Sequence, residues 1–198
     1  MIDKLLFKIA DWHNNIMRKK GIINDENYSD KDYFFRGNLY NILSTFIMLI
    51  IGLCIGCFYE FLMLCIVLNI LRAECGGYHS YGNLTFCLIV SSVIFAFAAL
   101  FSKYYCGSLI PMIIITVLSI LYILINTPKI NLEYDNLIKD KWCYKVDFFI
   151  YSTLFFLVSF IMPRNIQLSI YMAIIIIVPF MSDRVNRILN KIRNLIFK

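Results

Sequence analysis

Arg72, Ala73, Glu74, Cys75, Gly76, Gly77, Tyr78 and His79 form a polar island between two long apolar runs, and Cys87 stands at the edge of the second run. His79 is one of only two histidines. A thiol becomes a nucleophile at neutral pH when a neighbouring base takes its proton, so His79 and Cys87 form the leading pair for cysteine-based acyl chemistry. On one continuous helix their eight-residue separation would hold them about 12 Å apart, too far for proton transfer. Gly82 and Asn83 offer a break. It would let Cys87 start a helix, where the dipole favours a thiolate, while the loop returns His79. Arg72 and Glu74 are costly at membrane depth unless paired or wetted, which marks the island as a candidate functional boundary. Gly76 and Gly77 permit close approach of another chain, and backbone N–H groups near Gly77 or the Arg72 side chain are candidate oxyanion donors.

Plainer readings stand beside this one. A Gly-Gly pair is also a simple turn, and a nearby His and Cys are often structural. Cys75, His79 and Cys87 are plausible zinc ligands, but no paired CxxC motifs flank them and His13 is remote; no metal and no cofactor is expected. Cys54 and Cys57 form a CxxC inside an apolar run without a second dithiol, so they and Cys65 read as packing residues.

The elements that must position the pair follow from composition. With 60% hydrophobic residues, 16% charged residues and a mean hydropathy of +0.71 over 198 positions, the chain reads as an all-α integral membrane protein forming a single domain over residues 1–198. Measured against about 20 helical residues per crossing, the apolar runs give six spans, near 39–57, 58–73, 84–102, 108–126, 147–162 and 165–181. A hairpin turning near Gly56 to Glu60 divides the first two. Of the 19 basic residues, 17 fall on one side of this arrangement, with Lys103 and Arg164 opposite. The positive-inside rule therefore places both termini and the polar island in the cytoplasm. Ile2, Leu5, Leu6, Ile9, Ile16 and Met17, and again Val185, Ile188, Leu189, Ile192, Leu195 and Ile196, recur at helical spacing among basic residues, so an amphipathic interfacial helix is expected at each end. The N-terminal stretch does not read as a cleavable signal peptide. The net charge of +6 belongs to membrane orientation, and nucleic acid is not an expected partner.

Arg72, Gly76, Gly77, Tyr78, His79 and then Cys87, in a six-span chain of this length, resemble the accessory gene regulator B (AgrB) family of membrane cysteine endopeptidases in Gram-positive quorum sensing. The resemblance implies Cys87 as nucleophile and His79 as base, with Arg72 and Gly77 at positions the family needs for activity. It further implies a small amphipathic precursor peptide as partner, cut through a Cys thioester and closed to a thiolactone or lactone macrocycle. Lys139 and Lys141 lie in a polar connection beside the island and are expected to hold a charged precursor tail, unless that connection serves only to set topology. Small residues such as Gly52 and Gly56 suit close helix packing within one hairpin or between protomers of a homodimer. Two other classes remain: a transporter, which calls for broken or charged helices at the midplane, and a structural or receptor protein whose Cys/His loop binds a metal.

Overall fold

The computed structural model describes residues 2–19, 28–75, 84–126 and 141–196, and among these the chain is helical with no strand. In chain order the helices are α1 (Ile2–Lys19), α2 (Tyr28–Ile55), α3 (Phe58–Cys75), α4 (Leu84–Tyr104), α5 (Ile110–Asn126), α6 (Lys141–Ser159), α7 (Arg164–Phe180) and α8 (Asp183–Ile196). Six apolar helices thus lie between two amphipathic ones, and the all-α class holds.

Two boundaries differ from the hydropathy edges. α2 begins at Tyr28 rather than near residue 39, and α6 begins at Lys141 rather than near residue 147. Hydropathy marks where side chains turn apolar, whereas a helix closes its own backbone hydrogen bonds and continues through polar residues. Lys141 and Lys145 consequently belong to α6, one turn apart, and not to a loop.

α3 and α7 form the centre of the bundle. α3 packs against α2, α4, α6 and α7, while α7 packs against α3, α4, α5, α6 and α8. Phe61, Leu64, Val67 and Leu71 of α3 meet Ile170, Ala173, Ile174 and Ile177 of α7 in the main buried cluster. The α2–α3 hairpin is a close one because Gly52 has no side chain: a Cβ there would lie 2.8 Å from both Cβ and Cγ of Phe61. The small residue therefore serves packing inside the chain. The turn is a Schellman motif, with Gly56 N–H donating to Leu53 O at 3.1 Å and Cys57 N–H donating to Gly52 O at 2.8 Å. Gly56 takes φ = 72°, which a glycine accepts without the Cβ clash an L side chain meets. Glu60, expected in the turn, stands instead in the first turn of α3.

Side-chain hydrogen bonds gather the α2–α3, α4–α5 and α6–α7 connections at one end of the bundle. Lys103 Nζ donates to Gly56 O at 2.6 Å, and the Arg164 guanidinium donates to Gly107 O. Buried Glu60 accepts a 2.7 Å bond from Asn165 Nδ2. The buried Tyr171 hydroxyl accepts from Gln167 Nε2 at 2.7 Å and from Ser159 Oγ at 3.2 Å. The two basic residues that stood apart in the charge count thus occupy this end together. The helix ends bordering residues 76–83 and 127–140 lie at the other.

At the amphipathic ends, the His13 ring stacks on Phe35 of α2 at 3.8 Å, so this histidine packs α1 onto the bundle. α8 meets α7 and leaves Ile188, Ile192 and Leu195 exposed. Among the described residues, no helix is long and apolar enough to cross a membrane.

Candidate functional site

α3 ends at Cys75, immediately before Gly76 and Gly77, and α4 begins at Leu84. Two consecutive glycines, each about 1 kcal/mol poorer than alanine in a helix, suit a stop at this point. Arg72, Glu74 and Cys75 occupy the last turn of α3, and Cys87 occupies the first turn of α4. The two helices pack against each other. Gly76, Gly77, His79 and Lys139 lie outside the described residues, as do the side chains of Arg72, Glu74, Cys75, Cys87 and Lys141. The candidates on α3 and α4 thus fall on two helices that pack against each other. Among the described residues, no three His, Cys, Asp or Glu side chains cluster to hold a metal ion.

One turn inward from these ends, a cavity of about 70 Å³ opens between α2, α3, α4 and α7. Asn41, Ser44 and Thr45 of α2, Asn69 of α3 and Ser91 of α4 contribute its polar wall. Asn41 and Asn69 are exposed at the mouth, while Met48, Cys65, Leu68 and Ile177 are buried inside. Asn69 Nδ2 donates to Thr45 Oγ1 at 3.2 Å, tying α3 to α2, and Ser44 Oγ donates to Asn41 O at 3.0 Å. Ser91 is four residues beyond Cys87, and Asn69 is three residues before Arg72. Each candidate therefore stands one helical turn from a residue of this wall.

Sequence reasoning missed the wall. The available signal was its periodicity, since Asn41, Ser44 and Thr45 recur at i, i+3 and i+4, and Asn69 interrupts an apolar run. Polar side chains at helical spacing within apolar segments mark an inward or wetted face.

A bundle of apolar helices, with the sequence's polar island beginning in the last turn of α3, is the architecture set by these elements. A family model described as accessory gene regulator B matches residues 9–182, most of the chain, and the chain belongs to that family. Membership connects it with the processing of an autoinducing-peptide precursor in quorum sensing. No curated protein and no solved structure gives a significant match.

Proposed function

We propose that this chain is a single-domain membrane cysteine endopeptidase that removes the C-terminal tail of a small amphipathic pheromone precursor and promotes closure of the remainder to a thiolactone or lactone. The observation that carries this reading is the start of α4 at Leu84, which puts Cys87 in a first helical turn. A first turn favours the thiolate over the thiol. His79 takes the thiol proton, the Cys87 sulfur attacks the scissile carbonyl, and the C–N bond breaks. The tail then leaves as an amine carrying the proton returned by His79. The retained fragment is a thioester, which keeps its acyl-transfer potential. An internal Cys or Ser of the precursor attacks it, its proton passes through His79, and the free Cys87 thiol is regenerated. Positioning of that internal nucleophile and exclusion of water favour the ring over the linear acid. Arg72 and backbone N–H groups near Gly77 are the candidate oxyanion donors.

Coexpression with the precursor should yield a fragment one water lighter than the corresponding linear acid by mass analysis. Neutralising Lys139 and Lys141 together should weaken tail removal, more so at low ionic strength, because direct charge contacts are screened by salt. An exclusively linear product would reject the cyclisation role, and unchanged processing in the double variant would reject tail capture.

A bilayer location is supported by the outer surface. Ile42, Phe46, Ile50 and Leu53 form an exposed stripe on α2, and Ile89, Val93, Phe97 and Leu100 form another on α4. α5 and α6 carry similar stripes through Leu118, Leu121, Leu154 and Leu157. Monomers in water rarely leave so much continuous apolar surface uncovered, and acyl chains would cover it without cost. Helices of 17 to 19 residues such as α5, α6 and α7 reach about 25–29 Å against a hydrocarbon core of about 30 Å, a mismatch that local thinning absorbs. In this reading both termini and the island are cytoplasmic. Cys106 and Cys143 are exposed free thiols near opposite ends of the bundle. In variants retaining one or the other, an impermeant maleimide added to intact cells should label Cys106 and spare Cys143. The reverse pattern would overturn the orientation.

A further inference from the structure

We propose that the cavity between α2, α3, α4 and α7 is the specificity pocket for the precursor residue that donates the scissile carbonyl, and that it selects an uncharged side chain of intermediate length. This rests on the peptidase reading and deepens it. Ser91 lies four residues beyond Cys87 on α4, an axial drop of about 6 Å. A peptide whose carbonyl is attacked at the level of Cys87 thus reaches the cavity with an extended side chain the length of Met or Gln. The volume of about 70 Å³ is several times the roughly 10–15 Å³ a single water needs, enough for the end of one side chain. Among the described residues, no Asp, Glu, Lys or Arg lines the cavity. A charged side chain would lose its hydration there without gaining a counter-ion, so it is disfavoured. Neutral partners are present instead: the Asn69–Thr45 pair and Ser91 can exchange hydrogen bonds with an amide, while Met48, Leu68 and Ile177 cover the methylenes.

The test uses the full chain in lipid vesicles with synthetic precursors carrying Met, Gln, Ala, Asp or Lys at that one position, following the initial rate of tail release. The wild type should release tails from the Met and Gln precursors at least about tenfold faster than from the Asp and Lys ones. Ser91→Phe fills the cavity, so it should slow the Met and Gln precursors about tenfold while the Ala precursor is still cut, which also reports that the variant is folded. Should Ser91→Phe lose all turnover, Thr45→Val decides, since it keeps the volume and removes the hydroxyl bonded to Asn69. The Gln-to-Met rate ratio should then change about threefold or more. Equal slowing of every precursor by a Ser91→Phe protein that still cuts the Ala one, an unchanged ratio in Thr45→Val, or wild-type rates for Asp and Lys matching those for Met would each overturn the pocket. No tail release from any precursor by the wild type, or full release by Cys87→Ala, would instead overturn the peptidase reading beneath it.

Discussion

Cys87→Ala and Cys87→Ser should both abolish the thioester-linked precursor fragment, and His79→Ala should suppress its formation about 10²–10⁴-fold, the usual contribution of a positioned general base. Serine keeps the shape but presents a hydroxyl whose proton a histidine does not remove as readily as that of a thiol at a helix start. Neither residue is required to form the apolar helices, so each variant should remain inserted and folded. Cys75→Ala is the control, because Cys75 ends α3 and lacks the helix-start position of Cys87. The measurement is a hydroxylamine-sensitive adduct on purified protein incubated with precursor. A full adduct in Cys87→Ala together with its loss in Cys75→Ala would move the nucleophile to Cys75. Persistence in both would exclude a cysteine mechanism.

The second large effect concerns stability rather than chemistry. Gly52→Val should lower the unfolding temperature in detergent markedly, since even a bare Cβ at position 52 would sit 2.8 Å from Phe61. Overpacking of this kind typically costs about 1–3 kcal/mol. Between helices in lipid, where close packing carries much of the association, little else compensates. Phe61→Ala on its own opens a cavity in the core, but in the Gly52→Val background it should restore part of the loss, giving a coupling of about 1 kcal/mol or more in a double-mutant cycle. An unchanged unfolding temperature in Gly52→Val would mean that α2 and α3 do not meet at this point.

The helical architecture was largely legible in the residues. α3, α4, α5 and α7 begin and end within three residues of the hydropathy edges because apolar runs and Gly or Pro breaks coincide there. The start of α2 was not, since nothing in side-chain polarity halts a helix that satisfies its own backbone. The Asn165–Glu60 bond, between residues 105 apart, was also out of reach: a polar residue in an apolar run announces that it needs a partner without saying which one. The chemistry proposed at Cys87 and His79 is read from residue type, spacing and the family resemblance, since the His79 position and the Cys87 side chain lie outside the described residues. The cavity beside Cys87 was not legible, because its wall comes from four helices that meet only after packing.

The tight connections at the end held by Lys103 and Arg164 have a consequence for how this protein can diversify. Two residues separate α2 from α3, five separate α4 from α5 and four separate α6 from α7, whereas the other end has eight between α3 and α4 and fourteen between α5 and α6. Doubling a long loop costs only about 0.6 kcal/mol in closure entropy. Adding one residue at Gly56 would break the Schellman hydrogen bonds and shift Phe61 off Gly52. Changes of length are therefore expensive at the stapled end, where the bonds at Gly56, Lys103 and Arg164 tie three helix connections to one another and leave no slack to absorb an added residue.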